Sequence, residues 1–188
     1  MRSIILRTAI IFTAFLFYAN LAFSQMGEVQ ASIHFSVPEV ALVDIEPSLN
    51  NSIHFIVNPA SESGNRAVIQ ETESETLWIN YSSALTSSLN TRSIVVQISQ
   101  GILPDGISLY LEASQYTGSG DGKLGHPAGK INLTNQPQPI ITGLGSCYTG
   151  DGINNGHSLS FSMEISDYSK IHAVDETKFT IMYTITDN

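Results

Sequence analysis

The chain has 188 residues, a formal net charge of −9 and 13% charged residues. This length is typical of one domain that can bury a core of its own. An acidic chain lacks the basic patches that nucleic acids and anionic membranes require, so we expect neither as a partner. The single cysteine, Cys147, excludes an internal disulfide, and we expect a buried or half-buried thiol.

Residues 1–24 have the pattern of a secretory signal peptide. Arg2 and Arg7 are followed by a short apolar stretch and then by small residues at a cleavage point before Gln25. The apolar stretch is shorter than the ~20 residues of a membrane span. The sequence therefore predicts export to the periplasm, the cell surface or the medium. The mature part is expected to be a single domain, 25–188, without a transmembrane segment.

Beyond the signal peptide, apolar and polar residues alternate with a period of two, which is typical of half-buried strands. The pattern is clearest in 158–166, where four apolar residues alternate with serine and glutamate. Residues 59–75 are polar and acidic, and we expect an exposed loop there with a short edge strand near 67–69. The predicted strands are 29–37, 40–45, 52–58, 76–82, 92–99, 107–114, 130–134, 139–144, 158–166 and 178–186.

These segments define the fold class. About ten short strands are separated by turns rich in glycine and proline, and no helix of ordinary length is predicted. Antiparallel strands with one solvated face pack as two sheets. We therefore predict an all-β, antiparallel two-sheet sandwich, immunoglobulin-like or jelly-roll-like, with a barrel as the alternative.

Two loops, 115–129 and 146–157, contain the candidate ligand-binding residues. The segment 116–122 resembles 148–152, and counting strand reversals places both at the same end of the sandwich. Tyrosine rings with nearby polar groups can bind a sugar, whereas Asp and Asn oxygens can bind calcium. The alternative is that these residues bind no ligand: the polar ones are ordinary turn residues, and the tyrosines pack over strand ends. The candidates are Tyr116, Asp121, Tyr148, Asp151 and Asn154.

No motif predicts a catalytic centre. The segment 156–160 resembles a hydrolase nucleophile elbow, but such an elbow joins a strand to a helix, and here a regular strand follows. The histidines lack the spacing of a local zinc site, so we expect them on polar faces or in loops. The sequence therefore predicts no enzyme, no metal site and no cofactor. The histidines are His34, His54, His126, His157 and His172.

Two segments resemble parts of known exported proteins: the export signal that ends in Ala-Phe-Ser-Gln, and the last strand. That strand alternates Phe179, Ile181, Tyr183 and Ile185 with mostly polar residues. The chain resembles exported β-sandwich proteins of Bacteroidetes-type bacteria and, more loosely, pilin-like and spore-coat-like subunits. This resemblance implies a structural subunit. The chain departs from classical chaperone-assembled pilins because it lacks their disulfide.

Two functions remain open at this stage. The first is a non-enzymatic structural or adhesive subunit at the cell surface or in the secreted fraction, with itself or another surface protein as partner. The strand predicted at 29–37 would then add to the sheet edge of a neighbour, or it would pair within its own domain. The alternative is a carbohydrate- or calcium-dependent binding module that uses the loops at 115–129 and 146–157.

Overall fold

The computed structural model describes residues 31–49, 51–71, 75–174 and 176–188, so the predicted signal peptide lies outside the described residues. The chain divides into two units, Met1–Val37 and Pro38–Asn188. In the first unit, residues 31–37 form no strand and are exposed. The strand predicted at 29–37 is therefore wrong over 31–37, and residues 29 and 30 lie outside the description. Alternation gives a segment two different faces, but a strand also needs a neighbour for its backbone hydrogen bonds.

The regular secondary structure described in the second unit is almost entirely strand. The helical structure among the described residues is one 3-10 turn at Tyr168–Lys170, and no described helix is long and apolar enough to cross a membrane. The strands are β1 (Val40–Glu46), β2 (Phe55–Asn58), β3 (Val68–Glu71), β4 (Leu77–Ala84), β5 (Arg92–Gln100), β6 (Ile107–Ala113), β7 (Asp121–Gly122), β8 (His126–Pro127), β9 (Ile131–Asn132), β10 (Gln138–Leu144), β11 (Cys147–Tyr148), β12 (His157–Ile165) and β13 (Thr180–Asp187).

The strands form antiparallel sheets. In the seven-stranded sheet, β4 pairs with β1 on one side and with both β12 and β11 on the other. Beyond β12, the sheet continues with β6 and then β9, and beyond β11 it continues with β7. The second sheet has the order β13-β5-β10-β8, and β2 with β3 forms a separate hairpin. The predicted all-β antiparallel sandwich is confirmed, with thirteen strands among the described residues in place of about ten.

The core lies between the two larger sheets and is built from the inward residues of each strand. Ile79 in β4, Ile94 and Val96 in β5 and Leu111 in β6 are all fully buried. Complete burial of such a side chain contributes about 1.5–3 kcal/mol relative to exposure. The alternation of apolar and polar residues in the sequence thus arises because every second residue of a strand faces this core.

Several short elements differ from the prediction. The short edge strand expected near 67–69 is present as β3, which pairs only with β2 in a two-stranded hairpin. The strand predicted at 130–134 shortens to the two residues of β9. Three further strands, β7, β8 and β11, were not predicted, because two residues are too short to show a period.

Arg92 connects the two sheets at one edge. Its side chain is buried, and its Nε and Nη2 atoms donate to Asp187 Oδ1 at 2.7 Å and to Glu39 Oε1 at 2.5 Å. Its Nη1 donates to the Val40 carbonyl at the start of β1 and to the Ser83 hydroxyl in β4. Since Asp187 ends β13, one guanidinium holds strands of both sheets together.

Candidate functional site

The two loops that carry the candidate residues lie together at one end of the seven-stranded sheet. Their strands β7 and β11 pair with each other, with Asp121 opposite Tyr148. A second bridge joins Thr117 to Gly156. The prediction that these loops emerge at the same end is confirmed. We call the residues 114–125 and 145–157 the paired loops.

Tyr116 fastens one of the paired loops to the other. Its hydroxyl donates to the Thr149 carbonyl at 3.0 Å and accepts from the Gly120 amide at 2.5 Å. A Cβ atom added at Gly120 would collide with the Tyr148 carbonyl oxygen, so only glycine permits this approach of the two backbones. Tyr116 thus serves the internal structure of the loops.

Two asparagines continue this internal network. Asn155 Nδ2 donates to the Asp151 carbonyl at 2.7 Å, and Asn155 Oδ1 accepts from the Ser119 amide at 3.3 Å. The buried Asn80 of β4 donates to the Asn155 carbonyl and accepts from the Gly152 amide. The Asn80 amide therefore anchors the loop 145–157 to β4, and the Asn155 amide joins the loop 114–125 to it.

His157 is fully buried at the start of β12, so the expectation of a polar-face or loop histidine is wrong for this residue. Its Nδ1 lies 2.7 Å from the Ser114 carbonyl, and its Nε2 lies 2.9 Å from the Tyr81 hydroxyl. The Tyr81 hydroxyl also lies 2.5 Å from the Leu124 carbonyl. Strand alternation could not reveal this role, because the residues of the network come from three separate parts of the chain: β4, the loop 114–125 and the start of β12.

The protons of this network can be counted. A carbonyl oxygen only accepts, so Nδ1 of His157 carries the ring proton in the neutral form, and Nε2 is then an acceptor. The one hydroxyl proton of Tyr81 is shared between Nε2 and the Leu124 carbonyl. A proton on Nε2 would complete all three contacts, but it would place a charge in a buried site. Desolvation dominates and lowers the pKa of His157 below its usual 6.5, although the bond to Ser114 raises it. Burial also raises the pKa of Tyr81.

An open groove of about 510 Å³ lies on the outer face of the seven-stranded sheet beside the paired loops. Ser82 in β4 is flanked in register by Leu42 of β1 and by Tyr148 of β11. Asp44 and Asp151 also line the groove. Leu42 and Tyr148 are exposed, so the groove presents apolar surface between two carboxylates.

The structure separates the five predicted ligand-binding residues. Tyr148 and Asp151 line the groove, and Asp121 lies next to Tyr148 across the β7–β11 pair. Tyr116 is part of the internal loop network. Asn154 is an exposed turn residue whose φ is 65°, a left-handed conformation that asparagine adopts more readily than most residues.

Leu42 and Asp44 were not among the predicted site residues. Alternation in 40–45 places both on the same face of a strand, which is a usable signal. Their position beside Tyr148 depends on the pairing of β1 with β4, a contact between distant parts of the chain that no local pattern shows.

Cys147 is buried and unpaired, as expected from the sequence. Burial raises the pKa of its thiol to about 11, so the thiol is protonated at neutral pH. Among the described residues, no group of three or more His, Cys, Asp or Glu side chains is arranged to hold a metal ion.

No protein-family model, no curated protein and no solved structure matches this chain. The class that the fold defines is an all-β protein with antiparallel sheets.

Proposed function

We propose that this chain is an exported, non-enzymatic structural or adhesive subunit that assembles by adding a strand to the sheet of a neighbour. One observation carries the proposal. In the segment 31–37, Ile33, Phe35 and Val37 alternate with polar residues and are 88%, 87% and 75% exposed. We call this segment the N-terminal segment.

Exposure of these side chains is costly. Burying three large apolar side chains would contribute several kcal/mol, at about 1.5–3 kcal/mol each. Alternating side chains with one apolar face are what an added strand offers, since its backbone bonds to a sheet edge and its apolar side chains fill pockets. A neighbouring subunit would supply that edge.

The buried polar side chains of the sandwich support a structural role. His157 and Tyr81 bond to backbone carbonyls, and Asn80 and Asn155 bond to backbone groups of the paired loops. These groups hold loops in place.

The test compares assembly states by sedimentation velocity. One variant replaces Ile33, Phe35 and Val37 together by threonine, which keeps the strand propensity but removes the apolar face. The matched control replaces Ser32, His34 and Ser36 by threonine on the opposite face. We expect oligomers for the natural chain and for the control, and folded monomers for the first variant. Equal assembly of all three, or monomers throughout, would contradict the proposal.

A second candidate function is favoured by the groove beside the paired loops. The exposed ring of Tyr148, the side chain of Leu42 and the carboxylates of Asp44 and Asp151 lie around one opening. Pockets that bind sugars combine apolar walls with a few polar groups that orient the ligand. Because two carboxylates line the groove, the candidate ligand is a neutral glycan and not an acidic one. Calcium-dependent binding would use the same loops.

Calorimetric titration with neutral oligosaccharides, with and without calcium, tests this candidate. Tyr148 and Tyr168 are each 53% exposed, so Tyr168→Ala is a matched control for Tyr148→Ala. We expect binding to the natural chain and to Tyr168→Ala, and its loss in Tyr148→Ala. No heat with any sugar, or equal binding by both variants, would rule out the groove.

A further inference from the structure

We infer that the acceptor for the N-terminal segment is the outer edge of β13 in a second copy of this chain. This inference rests on the proposed function and names the partner surface. Among the described residues, β1 and β13 are the long strands at sheet edges, with seven and eight residues. The other edge strands are shorter: β7, β8 and β9 have two residues each, and β2 and β3 of the separate hairpin have four each.

The charge pattern distinguishes the two long edges. Natural edge strands are usually blunted by charged residues or proline, which discourage pairing with another chain. The edge of β1 has Asp44 and Glu46, whereas β13 has no charged residue and no proline before Asp187. The N-terminal segment is also free of acidic and basic residues apart from His34. In a chain with a net charge of −9, the pairing of two uncharged strands avoids repulsion.

The core is incomplete beside β13. Its inward side chains Ile181, Tyr183 and Ile185 are only partly buried, whereas Ile94 and Val96 of the neighbouring β5 are fully buried. In addition, the buried hydroxyl oxygen of Tyr183 has no hydrogen-bond partner in the structure. Burial of a hydroxyl without a hydrogen-bond partner is unfavourable. β13 thus combines incompletely buried apolar side chains with a hydroxyl that is buried and has no hydrogen-bond partner.

The N-terminal segment matches this edge in length and in pattern. Its seven residues are sufficient to span most of β13. With Ile33, Phe35 and Val37 turned toward the core, they would cover the partly buried residues of β13. Ser36 would then share the outer face of the sheet with Met182 and Thr184, because side chains alternate between faces along every strand.

Disulfide cross-linking between two variants tests this arrangement on the full chain, expressed with its own N-terminal residues. One preparation carries Ser36→Cys, and the other carries Met182→Cys or Thr184→Cys on β13. The control partner carries Asp44→Cys, an exposed position on β1. Cys147 stays in place, because it is buried and its thiol is protonated at the pH of mild oxidation. Each variant oxidised alone gives the background.

We expect a mixed disulfide dimer of Ser36→Cys with Met182→Cys or Thr184→Cys, at least fivefold above background, and none with Asp44→Cys. A cross-link to Asp44→Cys, or assembly with no cross-link to either edge, would overturn the assignment of β13 and leave the proposed function standing. A double variant with Ser36→Cys and Thr184→Cys that closes within one monomer would overturn the second copy as partner. Absence of any oligomer would contradict the proposed function and this inference together.

Discussion

At the scale of single residues, the buried polar groups of this chain hold backbone segments together. His157 is the clearest case, since its ring and the Tyr81 hydroxyl connect the carbonyls of residues 114 and 124 to the seven-stranded sheet. Because burial lowers the pKa of His157, the folded protein favours the neutral ring. The unfolded chain binds a proton on this residue near pH 6.5.

Replacement of His157 by glutamine should reduce the acid sensitivity of the fold. A group whose pKa is lowered by folding contributes stability above its unfolded pKa, and that contribution is lost as the pH falls below it. The loss is at most about 1.4 kcal/mol per pH unit. Urea unfolding at pH 7.5 and pH 5.5 measures it. We expect the free energy of unfolding to fall further between these two pH values in the natural chain than in His157→Gln, because only the natural chain has the buried ring.

The control for this prediction is His126→Gln, at an exposed position in β8. It should keep the pH dependence of the natural chain. An equal loss of stability in the natural chain and in His157→Gln would show that the buried ring is not the group that titrates.

Replacement of Arg92 by leucine should be strongly destabilising. Its loss takes a donor from the Val40 carbonyl and the Ser83 hydroxyl, and a buried polar group left without its partner costs about 1–3 kcal/mol. The two carboxylates that Arg92 also binds, Glu39 and Asp187, are 46% and 77% exposed, so water can solvate them when Arg92 is absent. Asp187 is 77% exposed, so Asp187→Asn should cost about 1 kcal/mol or less. Urea unfolding of both variants measures the difference. Equal costs would mean that Arg92 does not connect the sheets.

At this scale, the sequence predicts the environment of some residues and not of others. The buried state of Cys147 follows from its being a lone small residue in a β-rich chain. The burial of His157 does not, because its hydrogen-bond partners Ser114, Tyr81 and Leu124 are distant in sequence. The burial of Arg92 and its contacts between the two sheets could not be predicted either, because its partners are also distant in sequence.

At the scale of elements, the paired loops depend on how closely backbone segments approach. Gly156 and Gly152 have nearly the same positive φ, 86° and 85°. A Cβ added at Gly156 would collide with the Ile79 carbonyl oxygen of β4, whereas one at Gly152 would meet nothing within 4 Å. The two glycines thus share a backbone conformation that would strain any other residue, but they differ in the space available for a Cβ atom.

Alanine substitution should separate these two effects. Gly152→Ala should cost about 1–2 kcal/mol, because a left-handed conformation is strained for any residue with a Cβ. Gly156→Ala should cost at least about 2 kcal/mol more, since it also displaces the Ile79 backbone in the central strand. Thermal or urea unfolding of the two variants gives the comparison. A smaller cost at Gly156 than at Gly152 would show that β4 can move away freely.

The elements with a long alternating pattern were predictable, and those without one were not. The strand predicted at 158–166 is β12, His157–Ile165, because its inward residues really are the apolar ones. The strand predicted over 31–37 is absent even though its pattern is equally regular. A period of two shows that a segment is able to pair, but the partner must be found elsewhere.

At the scale of the whole molecule, an acidic sandwich carries two surfaces with little charge, the N-terminal segment and the outer edge of β13. The net charge of −9 keeps the molecules apart at long range, and screening at physiological salt limits this repulsion to about 8 Å. Contact then depends on the apolar residues of the N-terminal segment and on the edge of β13. The sequence alone predicted the first of these surfaces, but not the second, since the edge position of β13 is a property of the assembled sheet.

The most direct test of assembly by strand addition compares unboiled and boiled samples on a denaturing gel. The material is the surface and secreted fractions of cells that produce the natural chain, detected by immunoblot. Subunits joined by full backbone pairing and buried apolar side chains resist detergent until they are heated. We expect a ladder of species that collapses to the monomer on boiling. A single monomer band in the unboiled sample would contradict the account.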